Sequence, residues 1–185
     1  MQHSSLLTQY LPQLKILHRN SQTTVLDLAC GNGRNGLYLV ENDIAVTFAD
    51  INSAAIEQLK QHASKDEHQQ FMDFWSVDFE QEANMPLANK HFAAIMVFRY
   101  LHRSLFDQIK QAILPGGLII YETFTTDQIQ FGRPKNPDFL LNSGELLNVF
   151  SGWEILHNFE GIIESTSASK QAIAQIVAQK PMLIE

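Results

Sequence analysis

The chain has 185 residues, which suits one domain with a continuous core and is too short for two of full size. Its 45% hydrophobic content is ordinary for a globular protein, and no stretch nears the ~18 unbroken apolar residues that a membrane span requires. A formal net charge of -7 argues against broad nucleic-acid binding, which rests on phosphate neutralisation by Lys and Arg, although a local basic pocket remains open.

The amino terminus, Met1-Gln2-His3-Ser4-Ser5, has no basic region or long apolar run, so no signal peptide is expected. A single cysteine, Cys30, excludes an internal disulfide framework and fits a reducing cytoplasm. The seven histidines are scattered, with no HExxH or Cys/His pair at ligand spacing, so no metal is expected.

In chain order, residues 4–18 read as an amphipathic helix with Leu7, Leu11, Leu14 and Leu17 on one side, broken or bent near Pro12. A strand at 24–29 precedes a helix from about 33 to 41, and 44–49 is a second strand ending at Asp50. Asn52 or Ser53 can cap a helix over 54–62, where Ala55, Ile56 and Leu59 recur at helical spacing. Residues 70–77 form a third strand ending at Asp78, 80–90 a polar connection, and 92–98 a fourth strand. A helix over 104–114 stops at Pro115-Gly116-Gly117, and 118–123 is the fifth strand. Strands alternating with helices at these lengths imply a doubly wound, mostly parallel α/β sheet.

The remainder differs. Residues 125–142 lack periodicity and carry Gly132, Pro134 and Pro137; loops this long inside compact domains are often functional. Ser143 is positioned to cap a short helix over 145–150, and 153–159 reads as a strand. The run 172–178 fits a helix or a buried strand; a strand is preferred because two strands flanking a Ser/Thr-rich turn would close the sheet as a hairpin.

The most informative stretch is Asp27-Leu28-Ala29-Cys30-Gly31-Asn32-Gly33-Arg34-Asn35-Gly36, an apolar strand breaking into a glycine turn that opens a helix. Doubly wound folds hold adenine-containing cofactors in this way, with glycine where a Cβ would intrude on the ligand. GxGxxG alone does not choose between cofactors, and Asp50 could bond ribose hydroxyls in either case. Two features favour S-adenosylmethionine (SAM) over NAD. Asp27, at the head of the loop, would repel a pyrophosphate yet can organise the amino-acid end of SAM. Asp78-Phe79 ends the third strand where an adenine N6 donor would be expected.

On these residues the chain resembles class I SAM-dependent methyltransferases over nearly its whole length, and among them the small bacterial tellurite-resistance type. Asp27 to Gly33 is similar to the family's first motif, with Ala29 in place of its usual first glycine. Asp50 falls on the ribose-binding acid, Asp78 on the adenine-binding acid, and Leu114-Pro115-Gly116-Gly117 on the turn before the fifth strand. The resemblance implies one Rossmann-like domain over 1–185, with a mostly parallel seven-stranded sheet closed by a carboxyl-terminal antiparallel β-hairpin. Residues 1–20 would be an amino-terminal helical segment, and 125–150 an acceptor-side loop and helix. The residues expected around SAM are Asp27, Ala29, Cys30, Gly31, Gly33, Asn35, Asp50, Ile51, Asp78 and Phe79.

Beside each functional reading stands a plainer one. Asp27 can cap the loop through backbone N–H groups, Asp78 can serve an ordinary turn, and Cys30 is most simply a small buried filler. Trp75 and Trp153 read as core aromatics. Arg99, Tyr100, His102 and Arg103 follow the fourth strand at the edge where open α/β folds bind ligands, or they are a solvated helix start with Arg103 paired to Asp107. Glu122, a carboxylate in an apolar strand, needs a partner or a function. Glu122, His102 and Tyr100 are the candidate bases, while Arg99, Arg103 and Arg133 are candidates for holding an anionic acceptor. The expected activity is methyl transfer to a small molecule. Alternatives are a tRNA or protein methyltransferase, a non-catalytic SAM sensor, and, more remotely, an NAD-dependent oxidoreductase.

Overall fold

The computed structural model describes residues 2–64, 67–81, 85–164 and 169–182. One helix, α1 (Ser5–Ser21), precedes the alternating core: β1 (Val25–Leu28), α2 (Arg34–Val40), β2 (Val46–Asp50), α3 (Ser53–Ala63) and β3 (Met72–Ser76). Then come β4 (Phe92–Phe98), α4 (Phe106–Ala112), β5 (Ile113–Phe124), α5 (Glu145–Val149), β6 (Glu154–Glu164) and β7 (Lys170–Gln179). They form one seven-stranded sheet in the order β3-β2-β1-β4-β5-β7-β6. The first five strands pair in parallel, and β7 is antiparallel to both β5 and β6. The hairpin strand expected at 172–178 is thus β7; its Ser/Thr-rich turn at 165–168 lies outside the described residues.

Strand alternation sends side chains to two apolar layers. Val25, Ala94, Met96, Leu118 and Ile120 pack with Leu7 and Leu14 of α1, Leu39 of α2, and Ile56 and Leu59 of α3. Leu26, Leu28, Ile95, Val97, Ile119 and Tyr121 pack with Phe106 and Ile109 of α4 and with Leu146 of α5. All seven residues of β4 are buried, as expected of a central parallel strand covered on both faces. Trp75 and Trp153 are partly buried against the second layer.

Local differences from the sequence reading have physical causes. Helix α1 runs through Pro12 and ends at Gln22, whose left-handed conformation returns its N–H to the His18 carbonyl. Proline removes one ladder bond, but burial of Leu6, Leu7, Tyr10 and Leu14 outweighs that loss. Asn52, rather than Ser53, caps α3 by accepting the Ala55 N–H. A single turn of 3-10 helix, Gln69–Phe71, replaces the expected start of β3. The helix expected over 104–114 is shorter, and Pro115-Gly116-Gly117 lies inside β5 as a bulge. Ile113 faces Phe92 and Leu118 faces Ala94, so five steps along one strand answer two along the other. Gly116 takes a positive φ of 76°, and a Cβ on Gly117 would lie 2.5 Å from the Ala93 carbonyl oxygen. Gly144, not Ser143, precedes α5. Its first residue, Glu145, reaches back to the Asn142 N–H at 2.8 Å.

The long segment after β5 is bound to the body. Thr125 bridges Leu141, two 3-10 turns cover Thr126–Gln130 and Pro137–Phe139, and Leu140 and Leu141 are buried. Buried Gln128 accepts the Ala172 N–H at 2.9 Å and donates to the Arg133 carbonyl at 3.1 Å, fixing the segment to β7. No helix among the described residues is long and apolar enough to cross a membrane.

Candidate functional site

The carboxyl ends of the parallel strands gather the chemistry. After β1 the chain turns through Ala29, Gly31 and Gly33, with φ of 54°, 54° and 71°. Two of these positions need glycine, and Ala29 tolerates the left-handed region at some cost. The loop hangs on β2: Cys30 donates its N–H to the Ala49 carbonyl at 3.0 Å, and Gly31 donates to Asp50 Oδ2 at 2.7 Å. Asp50 Oδ1 takes the Asn52 N–H at 2.8 Å, so each carboxylate oxygen holds one backbone donor and can accept another. Gly36 opens the close approach of α2 to the sheet, because a Cβ there would lie 2.3 Å from Phe48 Cε1.

Asp27 is wholly buried in β1, and its Oδ2 accepts the Gly36 N–H at 3.0 Å. No cationic side chain pairs with it among the described residues. Cys30 is half-buried beside it, and burial together with Asp27 and Asp50 pushes the thiol well above its usual range, so it is no thiolate nucleophile. A cavity of about 320 Å³ opens here between Asp27, the loop from Ala29 to Asn32, Arg34, Asn35, Phe98 and Arg99. Asn35 lines this cavity while accepting the Ser4 N–H at 3.0 Å, which ties the start of α1 to the loop.

Towards β3 the edge is acidic. Asp78 Oδ1 caps a turn by accepting the Glu80 N–H, and Phe79 is buried edge-on against Trp75. Ile51, by contrast, is exposed on the surface beside Asp50. Tyr100 directs its hydroxyl at Glu80 Oε1, 3.4 Å away. Burial, Glu80, Asp78 and Asp50 together hold the phenol far above its usual range, so it stays protonated and is a poor base.

Arg99 stands at the centre. It has a left-handed backbone with φ of 60°, fixed by its N–H to the Glu122 carbonyl at 2.8 Å. Its guanidinium pairs with Glu122 Oε1 at 3.1 Å, donates to Gln171 at 3.0 Å and lies 4.5 Å from the Phe124 ring centroid. Glu122 Oε2 takes the Gln175 amide at 2.6 Å. Glu122 therefore has the partner that a carboxylate in an apolar strand requires, with one donor on each oxygen. Burial lowers the Arg99 pKa and Glu122 partly opposes it, while the buried Nη1 has no hydrogen-bond partner among the described residues.

Arg99 also borders two further spaces. One, of about 240 Å³, lies against Tyr100, Leu101, Thr123, Phe124, Pro134 and Phe139. The other is an open polar groove of about 770 Å³ between the start of α1, Arg34 and the ends of the β6–β7 hairpin, with Gln171, Gln175 and Glu122 on its wall.

Other candidates are placed elsewhere. Arg103 forms a two-pronged pair with Glu145, at 2.6 and 2.9 Å, and donates to the Asp138 and Leu140 carbonyls. A planar fork with four acceptors around it ties the 125–142 segment to α5, and Asp107 pairs with Lys110 instead. Arg133 is exposed, and the segment reaches the 240 Å³ cavity through Pro134 and Phe139. His102 is half-buried and lines none of these three spaces. Sequence reasoning passed over Arg34, Gln171 and Gln175. The signal for the last two was present: Gln171, Gln175 and Gln179 recur every fourth residue in an apolar strand, which puts them on one face.

The comparisons with known proteins agree with this architecture. Among curated proteins, the "Probable S-adenosyl-L-methionine-dependent methyltransferase TehB" of Haemophilus influenzae strain Rd is 29% identical over 149 residues, covering 78% of this chain and 50% of that protein. The chain thus spans about half the length of the curated relatives it matches. The crystal structure of TehB from Haemophilus influenzae is similar with a TM-score of 0.68 at 24% identity, over 85% of this chain and 57% of that one. The N-methyltransferase NodS from Bradyrhizobium japonicum WM9 is similar with a TM-score of 0.63 at 14% identity, over 94% and 96% of the two chains. At these identities the structural likenesses establish the fold. A family model described as tellurite resistance protein TehB matches residues 9–174, so the chain belongs to the TehB family.

Proposed function

We propose that the chain is a SAM-dependent methyltransferase acting on a small, anionic acceptor. The observation that carries this reading is the 320 Å³ cavity, headed by a buried carboxylate without a cation and hung on a second carboxylate at the end of β2. That set of groups fits SAM. Asp50 keeps acceptor capacity for ribose hydroxyls, Asp27 offers charge to the cationic amino-acid end, and Asp78 and Phe79 stand where adenine would be read. Ala29, Cys30, Gly31, Gly33, Asn35 and Ile51 would complete the surroundings. The match to a curated relative named as a SAM-dependent methyltransferase supports the same cofactor.

Bound SAM supplies a methyl group already activated on a sulfonium. What remains for the chain is to align the acceptor in line with that methyl group and to exclude water. Arg99 and Arg34 both border the cavity and the adjoining groove, giving an acidic protein a local cationic wall suited to an anion. Glu122 is paired and Tyr100 is held protonated, so an acceptor that arrives already deprotonated suits the groups present.

Calorimetry with SAM, S-adenosylhomocysteine and NADH tests the cofactor. The first two should bind and NADH negligibly; comparable NADH affinity would overturn the reading. Single-turnover assays should then favour anionic over neutral acceptors, and the reverse preference refutes that part.

A further inference from the structure

Asp27 is a buried carboxyl group with no cationic side chain paired to it among the described residues. It lines the proposed cofactor cavity and, among the described residues, accepts one hydrogen bond, from the Gly36 N–H at 3.0 Å. The charged and titratable groups around it come from every neighbouring element. Asp50, at the end of β2, adds a like charge, and the Cys30 thiol in the loop is held protonated. Arg34 of α2 eases the charge from a distance but donates a guanidinium N–H to the Gln2 carbonyl at 3.3 Å. Arg99, beyond β4, lines the same cavity; its Nη2 is held by Glu122 and Gln171, while its buried Nη1 has no hydrogen-bond partner among the described residues and makes no ion pair with Asp27. A carboxyl group so placed must take up either a proton or a cation.

We propose that cofactor binding is proton-linked: in mildly acidic solution Asp27 rests as a neutral carboxylic acid and releases its proton to solvent when cationic SAM enters the cavity. This rests on the SAM reading above. The balance is simple, since the carboxyl O–H breaks, the proton passes to buffer, and the carboxylate left behind faces the ligand's positive charge. Burial pushes the Asp27 carboxyl up to about 7, against the lowering influence of the Gly36 N–H and Arg34 and with Asp50 adding to the rise. The linkage therefore operates in the range where a cell works, and SAM affinity should rise with pH until Asp27 is ionised without help.

Calorimetry of the full chain with SAM, at pH 6 in two buffers of different ionisation enthalpy, reads the proton directly. Release should approach about one proton per SAM, and affinity should rise about tenfold from pH 5.5 to pH 6.5. Asp27→Asn, which keeps an oxygen for the Gly36 N–H, should bind SAM with no proton release and with flat pH dependence over that interval. Should that variant not fold, infrared difference spectra of the unaltered protein should show a protonated-carboxyl band lost on SAM addition. SAM binding without proton release, or release that persists in Asp27→Asn, overturns the proposal. No SAM binding at any pH overturns the cofactor reading itself, a result distinct from either.

Discussion

The two halves of the sheet's carboxyl edge are held together by different kinds of contact. Around β1 and β2, the loop is fixed by backbone N–H groups meeting nearby acceptors. Gly36 reaches Asp27 across 9 residues, and Gly31 reaches Asp50 across 19. Around β4, β5 and β7, the fixing contacts span far more chain: Arg103 to Glu145 over 42 residues, Gln128 to Ala172 over 44, Glu122 to Gln175 over 53, and Arg99 to Gln171 over 72. The first half needs only consecutive strand–helix units. The second exists only once the carboxyl-terminal hairpin has docked, so distant substitutions reach it.

The largest expected effect breaks the second half at the Arg99–Glu122 ion pair. Glu122→Ala leaves the Arg99 guanidinium without its carboxylate and should cost about 3 kcal/mol in denaturant unfolding, moderated because a quarter of the Arg99 side chain is exposed. Glu122→Gln, which can still meet Gln175, should cost less. A Glu122→Ala protein as stable as the parent would mean that the long-range network is not what holds this half.

In the first half, Asp50→Ala should act on the ligand more than on the fold. Loss of a charged acceptor for ribose hydroxyls should weaken SAM binding at least about tenfold, while amide exchange in the core strands stays slow. Global unfolding of that variant would erase the contrast between the halves.

The smallest effect sharpens the comparison. Arg103→Ala removes the pair with Glu145 and two bonds to carbonyls, all partly exposed, and should lower stability by about 1 kcal/mol. Hydrogen exchange should quicken within 125–142 and α5, with SAM affinity unchanged. Weakened SAM binding would show that the 125–142 segment also shapes the cavity beside β1.

The same contrast explains what could be read from the sequence. The order of strands and helices, the Asp27–Gly36 loop and the place of Asp50 at a strand end follow from short-range pattern, whereas the closing hairpin does not, since 172–178 fits a helix or a strand and the family resemblance decides it. The partners of Arg103 and Glu122 do not, because nothing local to Arg103 points 42 residues ahead to Glu145, whereas Asp107 offers a plausible partner at helical spacing. Pro115-Gly116-Gly117 reads as a stop signal, yet pairing with β4 draws it into a strand as a bulge. Pro12 reads as a break, yet the apolar face of α1 carries the helix through it.

Arg99 borders all three spaces described at this edge, so its position sets part of the wall of each. Any ligand that draws the guanidinium towards itself changes the wall of the other two spaces. Reciprocity then requires the effect of the first ligand on the second to equal that of the second on the first. A substrate analogue in the groove would tighten or loosen SAM by the same factor that SAM tightens or loosens the analogue. One side chain shared by three walls is enough to carry such coupling.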